Sequence, residues 1–339
     1  MDPFTETPTE LRWGIIGCGN VTEKKSGPAF NKVPGSSLLA VMRRNGNKAK
    51  DYADRHGVPK WYDDATALIN DPDINAIYVA TPPDSHEAYA LAAIQAGKPV
   101  YVEKPMAVTT ASCLRMQEAA EKNNGKLTMA HYRRGLPMFR KIRALLTEKA
   151  IGDIRTVRIS MLQQHRPDIV APTETNWRVD PSIAGAGYFY DLAPHQLDLV
   201  VHFFGNPVEA FGSGVNQAGF YETADAVSGM MLLPNQVLFT GQWAYTTAPG
   251  TEEDLFEIIG SGGRIRFPVF GHTVSVLTDE QEDILSFEPP AHIQQPMIGD
   301  VVQYFLGNAP NPCSAADALV SMRVMECFAY GKKLSDLSR

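Results

Sequence analysis

Short apolar runs alternate with segments of helical periodicity through the first part of the chain. The apolar runs predict buried strands over residues 12–17, 37–42, 76–80 and 100–103. Between them, the spacing of apolar positions predicts helices over residues 47–56 and 86–96. Strands that alternate with helices in this way are typical of a parallel sheet with crossover helices.

The pattern changes after about residue 132, where a helix is predicted over residues 136–149. Beyond this helix, the apolar residues Val157, Ile159 and Met161 alternate with Thr156, Arg158 and Ser160, and several more short runs follow. That alternation predicts strands with one buried face over residues 155–161, 224–233, 236–245, 255–260, 264–267 and 273–277. Because turn signals rather than helices separate these strands, their sheet is predicted to be mostly antiparallel. A closing helix is predicted over residues 315–331.

We therefore predict an α/β chain with two domains. Residues 1–132 would form a domain with a parallel sheet, preceded by a loose tail over residues 1–10. Residues 133–339 would form an α+β domain with a large, mostly antiparallel open sheet. The length agrees, because 339 residues at roughly 150 residues per domain give about two domains.

The composition is that of an ordinary soluble globular protein, with 44% hydrophobic and 20% charged residues. The net charge of −7, without long blocks of one sign, argues against nucleic acid or an acidic membrane as a partner. The four cysteines form no CxxC pair, which argues against a zinc or redox motif. So few cysteines in a chain of this length fit a reducing compartment. The acidic start lacks a signal-peptide pattern, and no apolar run approaches the ~20 residues that span a bilayer. We therefore expect a cytoplasmic protein.

A glycine-containing turn follows the first predicted strand, in the order Gly17-Cys18-Gly19-Asn20-Val21-Thr22. Gly17 would allow a tight turn, and Gly19 would let the backbone approach a pyrophosphate at the start of a helix. Thr22 stands where a third small residue is usual, so the match is incomplete. Its position between a strand and a helix predicts a Rossmann domain that binds a dinucleotide through Gly17, Gly19, Asn20 and Val21. A plain glycine turn is the alternative.

The end of the second predicted strand indicates which dinucleotide is bound. A site for NAD usually carries an acidic residue there, which binds the ribose 2′-hydroxyl. This chain has Arg43 and Arg44 instead, and guanidinium groups suit a 2′-phosphate. We therefore predict that NADP(H) is preferred and that NAD(H) remains possible. The alternative is two solvated surface arginines.

Two segments carry candidate catalytic groups. Lys104 ends a predicted central strand, at the sheet edge where ligands bind in open α/β folds, and the alternative is a surface lysine before a turn. In a continuous helix, one face would present Asp191, His195, Asp198 and His202. Pro194 belongs in a first helical turn, which would make Asp191 a helix cap and leave the histidines in the core or at the surface. A metal site on this face is disfavoured, because no cysteine joins it and the nucleotide motif supplies a better cofactor.

Together, the segments WGIIGCGNV, ATPPDSHEAYALAAIQAGKPVYVEKPMA and GAGYFYDLAPHQLD resemble the Gfo/Idh/MocA family, named for glucose–fructose oxidoreductase and inositol dehydrogenase. The resemblance implies a Rossmann domain followed by an open sheet that often makes oligomer contacts. It also implies an NAD(P)-dependent oxidoreductase that acts on sugars or polyols. The family's catalytic residues correspond to Lys104, Asp191 and His195. Departures from the family pattern are Thr22, the run Ala184-Gly185-Ala186-Gly187 and Pro194.

The matched motif positions also assign Thr81, Pro82, His86 and Glu103 to the cofactor. We expect the substrate to lie over the nicotinamide, between the two domains. His195 would exchange a proton with the reacting hydroxyl, Lys104 would stabilise the developing alkoxide, and Asp191 would orient His195 or hold a neighbouring hydroxyl. By motif position alone, the candidates for substrate binding are Tyr132, Arg133, Trp177, Arg178 and Tyr245, each of which could equally serve packing or the surface.

Other functions remain possible on the same fold. One is a glycosidase that oxidises and re-reduces its sugar by means of NAD, and another is a non-catalytic sensor of a sugar or nucleotide. A metal-dependent enzyme is a third. For the oxidoreductase, the expected partners are a small sugar or polyol substrate and further copies of the chain, in a homodimer or homotetramer. Neither nucleic acid nor a membrane is an expected partner.

Overall fold

The computed structural model describes residues 8–165, 167, 169–170, 176–279 and 281–337. Of the predicted tail, only residues 8–10 fall within these ranges. The described strands are β1 Leu11–Ile16, β2 Ser36–Met42, β3 Lys60–Tyr62, β4 Ala76–Val79, β5 Val100–Val102, β6 Leu127–Met129, β7 Ile154–Leu162, β8 Glu209–Val215, β9 Ala226–Leu233, β10 Val237–Ala244, β11 Glu253–Gly260, β12 Gly263–Phe267, β13 Thr273–Thr278 and β14 Glu282–Ser286.

The α-helices are α1 Asn20–Lys24, α2 Gly46–His56, α3 Ala65–Asn70, α4 His86–Gln95, α5 Thr110–Lys122, α6 Pro137–Thr147, α7 Pro181–Ala184, α8 Tyr188–Phe204, α9 Gln295–Phe305 and α10 Ala315–Tyr330. None of the described helices is both long enough and apolar enough to cross a membrane.

The first sheet has six parallel strands in the order β3-β2-β1-β4-β5-β6. Every residue of β4 and β5 is buried, as expected for central strands covered on both faces. β1 lies between β2 and β4, so the strand order reverses beside it. In such open sheets, ligands bind at the carboxyl ends of the strands near this reversal.

The second sheet has eight strands in the order β14-β13-β12-β11-β7-β10-β9-β8. All of its neighbours are antiparallel except β7 and β10. One face packs against α8 and α10, where Trp243 donates a hydrogen bond from Nε1 to Oε1 of Gln196 at 2.7 Å and contacts the Phe328 ring. A Cβ atom at Gly229 would lie only 2.5 Å from the Phe328 ring, so glycine is required for this close approach. The predicted fold class is confirmed.

The chain divides into two compact units. Unit 1 contains residues 1–107, 111–136 and 290–318, and unit 2 contains residues 108–110, 137–289 and 319–339. This division differs from a single boundary at residue 132, because residues 290–318 return to the first sheet. There Met129 donates its backbone N–H to the Cys313 carbonyl at 3.0 Å, and Gln294 binds Glu103. Nothing in the local sequence pattern predicts this return.

A buried carboxylate stabilises the edge of the first sheet. Asp71 accepts hydrogen bonds from Lys60 Nζ at 2.7 Å and from the Tyr62 hydroxyl at 2.6 Å. Burial alone would raise the pKa of Asp71, but these hydrogen bonds lower it from 3.8 to about 2. Because the folded-state pKa is depressed, the resulting stability is present above about pH 4 and is lost as the pH falls towards 2.

We expect Asp71→Asn to lower the free energy of unfolding by about 1 kcal/mol at pH 7, a value reduced because Lys60 is partly exposed. At pH 3 the difference between the variant and the parent should be smaller. Thermal unfolding at both pH values measures this. Asp73→Asn is the matched control, because Asp73 binds the same Lys60 at 2.6 Å from a more exposed position. An equal destabilisation by Asp71→Asn at both pH values would contradict the assignment.

Candidate active site

The turn after β1 is tight at Gly17 and open beside Gly19. Gly17 has a φ of +96°, and a Cβ atom there would lie 2.8 Å from the backbone nitrogen of Thr81, so no side chain fits. At Gly19 a Cβ atom would meet only the Gly17 carbonyl oxygen, at 3.9 Å. The space beside Gly19 is therefore open, as close approach of a pyrophosphate requires. The turn places Asn20 and Val21 as the first two residues of α1.

Thr22, the departure from the usual turn pattern, is accommodated locally. Its side chain is fully buried, and its hydroxyl donates a hydrogen bond to the Gly19 carbonyl at 2.8 Å. The Thr22 carbonyl in turn accepts from the Tyr52 hydroxyl at 2.8 Å. The larger residue thus anchors the start of α1 and leaves the space beside Gly19 open.

Arg43 and Arg44 follow β2 directly, next to this turn. The Met42 carbonyl accepts the backbone N–H groups of Gly17 at 2.9 Å and Cys18 at 3.1 Å. Burial raises the pKa of the Cys18 thiol to about 11, and the charge of Arg43 is near enough to oppose that rise. Arg43 is half-buried and Arg44 is exposed. Both arginines thus lie at the end of β2 beside the turn, where the sequence predicts a contact with a 2′-phosphate.

The loops after β4 and β5 bring further predicted cofactor residues to the same sheet edge. Thr81 and Pro82 are half-buried, whereas His86 is fully buried. The two ring nitrogens of His86 lie 2.8 Å from the Thr81 carbonyl and 3.0 Å from the Pro105 carbonyl. Burial lowers the pKa of His86. The imidazole therefore links the two loops.

Glu103 and Lys104 lie directly after β5. The Glu103 carboxylate is buried and accepts hydrogen bonds from the Tyr78 hydroxyl at 2.5 Å, Gln294 Nε2 at 2.7 Å and the Lys104 backbone N–H at 3.1 Å. Lys104 itself is half-buried. Unit 1 thus brings the lysine to the same edge of the first sheet as the Gly17–Gly19 turn.

In unit 2, α8 carries the other two predicted catalytic residues. The helix begins at Tyr188 with Gly187 as its N-cap, and Pro194 lies inside it rather than in its first turn. The interpretation of Asp191 as a helix cap is therefore wrong. Asp191 instead pairs with Arg178, whose Nε lies 2.8 Å from Oδ2 of the carboxylate. Both side chains are mostly shielded, with 17% and 13% of their surface exposed.

Arg178 is also held by an aromatic ring. Its guanidinium carbon lies 4.6 Å from the centre of the Trp177 ring, which is a cation–π contact. The structure thus brings two of the predicted substrate residues, Trp177 and Arg178, together with Asp191. Trp177 is half-buried, so part of its ring remains accessible.

His195 lies one turn beyond Asp191 on α8 and is 5% exposed. Its ring contacts that of Phe270 edge to face, at a centroid distance of 5.5 Å and an angle of 86°. The segment that carries Phe270 is fixed by Asp254, whose carboxylate accepts the backbone N–H groups of Val269 at 3.0 Å and Phe270 at 2.6 Å. Phe270 is a site residue that the sequence pattern did not indicate.

The remaining substrate candidates are buried. Tyr245 is 0% exposed, its ring centre is 5.8 Å from that of Tyr188, and burial raises the pKa of its hydroxyl well above 10. In the part of the chain that the structure describes, this hydroxyl has no hydrogen-bond partner. In unit 1, the Arg133 guanidinium lies 5.4 Å from the Tyr132 ring centre, and both residues are buried.

The helix face that presents Asp191, His195, Asp198 and His202 is continuous, as predicted for an uninterrupted helix. Among the described residues, however, no group of three or more histidine, cysteine or acidic side chains is arranged to hold a metal ion. His202 lies 3.3 Å from an Arg143 guanidinium nitrogen.

Comparison with known proteins identifies the family. A family model described as an oxidoreductase family with an NAD-binding Rossmann fold matches residues 11–131. The model of the GFO/IDH/MocA C-terminal domain matches residues 139–266.

Individual proteins agree with these models. The chain is 44% identical to Oxidoreductase P35 of Formosa agariphila over 320 residues, which cover 94% of this chain and 98% of that protein. It is 35% identical to an inositol 2-dehydrogenase of Acidothermus cellulolyticus, over 58% of this chain and 54% of that protein. Levoglucosan dehydrogenase, solved with NADH and levoglucosan, shares the fold with a TM-score of 0.82 at 23% identity, over 97% of this chain and 98% of that one. The chain belongs to the Gfo/Idh/MocA family of NAD(P)-binding oxidoreductases.

Proposed function

We propose that this protein is an NAD(P)-dependent dehydrogenase or reductase that interconverts an alcohol and a ketone on a sugar or polyol. The observation that carries the proposal is the half-buried Lys104 at the carboxyl end of β5, on the same sheet edge as the Gly17–Gly19 turn. A cation at this edge is suited to charge that develops on a substrate oxygen beside a bound dinucleotide. The names of two relatives, an inositol dehydrogenase and a levoglucosan dehydrogenase, support a polyhydroxylated substrate.

The residues of this chain divide the chemistry among them. A bound nicotinamide supplies or accepts the hydride. His195 takes the proton from the reacting hydroxyl during oxidation and returns it during reduction. Lys104 stabilises the negative charge that develops on the same oxygen. Asp191, paired with Arg178, orients His195 or a neighbouring substrate hydroxyl.

The Trp177–Arg178–Asp191 cluster suits a sugar. An aromatic ring offers an apolar face to the C–H groups of a sugar, and the adjacent carboxylate and guanidinium supply acceptors and donors for its hydroxyls. The half-buried Trp177 ring and the Arg178–Asp191 pair support this role. We also propose that NADP(H) is the preferred cofactor, on the strength of Arg43 and Arg44.

The test is a panel of sugars, polyols and ketosugars that includes inositol and levoglucosan, each offered with NAD(H) and NADP(H). Absorbance of the reduced nicotinamide reports turnover. We expect turnover with at least one member of the panel. Cofactor binding without any turnover would favour a sensor, and release of free sugar from a glycoside without net cofactor turnover would favour a glycosidase.

We further propose that a second copy of the chain covers the exposed face of the eight-stranded sheet. Phe211, Met230 and Leu238 are 59%, 57% and 58% exposed and lie on three adjacent strands. Phe211 is directly opposite Met230 in the register. Contiguous apolar surface of this kind is unusual on a monomer.

Light scattering at micromolar concentration is expected to give two or four times the chain mass of 37.2 kDa. Leu238→Arg should shift the protein towards the single-chain mass, because it places a charge within the apolar patch. Trp61→Arg, on β3 of the other sheet, is the matched control and should leave the mass unchanged, since Trp61 is also exposed, at 42%. A parent protein that scatters only as a single chain would contradict the proposal.

A further inference from the structure

We propose that Glu103 and His86 are positioning residues that hold Lys104 in place from the two sides of its backbone. This inference rests on the proposed role of Lys104 at the reacting oxygen. The motif match assigns Glu103 and His86 to the cofactor. In the structure their side chains bind protein atoms, so they would shape the site through the turns that they fix.

The support on the amino side of Lys104 is the Glu103 carboxylate. One oxygen, Oε1, accepts from both Tyr78 and Gln294, and the other, Oε2, accepts the Lys104 backbone N–H. A buried carboxylate is costly unless donors surround it, and here three donors do so. Burial raises the pKa of Tyr78 well above 10, so its hydroxyl keeps its proton and remains a donor. The orientation of the Lys104 peptide is thereby coupled to Tyr78 and Gln294.

The support on the carboxyl side is the His86 imidazole. It is fully buried between the carbonyl of Pro105, the residue after Lys104, and the carbonyl of Thr81 in the loop after β4. A neutral imidazole donates one of these hydrogen bonds, and a charged one donates both. In either state the ring fills the space between the two loops, and in the charged state it joins them by two hydrogen bonds. Both neighbours of Lys104 are therefore anchored, while its own side chain remains half-buried.

Two buried tyrosines on adjacent strands provide a matched test. Tyr78 and Tyr101 are both 0% exposed, and their rings stack at 5.1 Å. The Tyr78 hydroxyl binds Glu103, whereas the Tyr101 hydroxyl has no hydrogen-bond partner in the described ranges of the chain. Tyr78→Phe and Tyr101→Phe thus delete the same atom from similar surroundings. Only Tyr78→Phe removes a hydrogen bond to Glu103, the residue that binds the Lys104 backbone.

The first measurement is the steady-state kinetics with the best substrate of the panel. Tyr78→Phe should lower kcat about tenfold and leave KM and the cofactor Kd within about twofold, because small misplacement of a catalytic group affects the chemical step most. Gln294→Met removes the second donor and should act in the same direction. Tyr101→Phe should match the parent. Thermal unfolding of each variant verifies that it is folded.

The second measurement needs no substrate. Trinitrobenzenesulfonate labels lysines in the cofactor-free protein, and mass spectrometry follows the peptide that contains Lys104. Loosening of the support should speed labelling of Lys104 by about threefold or more in Tyr78→Phe and in His86→Gln, but not in Tyr101→Phe. The other lysines serve as internal references.

Parent-like kcat and parent-like labelling of Lys104 in folded Tyr78→Phe and Gln294→Met would overturn the inference. Equal effects of Tyr78→Phe and Tyr101→Phe would also overturn it, because they would show a general packing defect. Lys104→Ala is measured in the same assay. If Lys104→Ala retains turnover, the proposed role of Lys104 fails. If Lys104→Ala loses turnover but Tyr78→Phe matches the parent, Lys104 acts as proposed and only the inference about its support fails.

Discussion

Replacement of Lys104 or His195 by alanine is expected to lower turnover by about 10²–10⁴-fold and to leave cofactor affinity nearly unchanged. Both side chains are proposed to act on the reacting substrate oxygen rather than on the dinucleotide. The loss should therefore be seen in kcat at saturating substrate and cofactor. Binding of the reduced cofactor, followed by its fluorescence, should match the parent.

The losses of turnover in Lys104→Ala and His195→Ala should not be additive. If Lys104 and His195 serve one proton network, removal of the second residue costs little once the first is gone. The double variant should therefore be only slightly slower than the slower single variant. Near-normal activity of His195→Ala would remove it as the proton carrier and leave Lys104 as the better candidate.

Asp191→Asn separates the role of this residue from helix capping. Asparagine caps a helix about as well as aspartate, so a capping residue would tolerate the change. Asp191 lies beyond the first three residues of α8 and pairs with Arg178. We expect the variant to stay folded and to lose turnover, because an amide cannot balance the guanidinium charge. Full activity of folded Asp191→Asn would contradict a role in orientation.

The pattern of the sequence was most informative where burial is regular. β1, β2, β4 and β5 are mostly apolar runs, and β7 alternates between apolar and polar residues. In β9 and β10 buried and less buried positions alternate, although Met230 and Leu238 are exposed apolar residues. β3 and β6 have three residues each, as β5 does, but Lys60 or Thr128 interrupts the apolar run in them, so no strand was predicted there. β8 contains two glycines, and β14 is an edge strand with little buried surface.

In the candidate site, too, some residues could be predicted from local sequence and others could not. Short sequence motifs indicate Gly17, Lys104, Asp191 and His195, because residues adjacent in sequence determine each turn or helix. The partners that hold these groups come from distant segments. Gln294 is 191 residues from Glu103, and Phe270 reaches His195 from the loop after β12. Such contacts depend on tertiary packing, and the spacing of apolar residues along the sequence does not show which distant segments meet.

The second large effect is expected on NADP(H) affinity, from replacement of the two arginines after β2. Replacement of both Arg43 and Arg44 by alanine should weaken NADP(H) binding by about 1–3 kcal/mol in total, the range for charge-assisted hydrogen bonds to phosphate. NAD(H) binding should barely change, since NAD(H) has no 2′-phosphate for the guanidinium groups. Isothermal titration of both cofactors against each protein measures the ratio of affinities.

The two single variants, Arg43→Ala and Arg44→Ala, should weaken NADP(H) binding by different amounts. Arg43 is half-buried and close enough to the Gly17–Gly19 turn for its charge to oppose the rise in the Cys18 pKa, whereas Arg44 is exposed to solvent and more strongly screened. We therefore expect Arg43→Ala to account for most of the loss. Arg12→Ala is the matched control: Arg12 binds the Asp73 carbonyl near the start of β1, at the opposite end of the strand from the turn. Equal affinity of the parent for NADP(H) and NAD(H) would contradict the preference, because the 2′-phosphate would then gain nothing from either arginine.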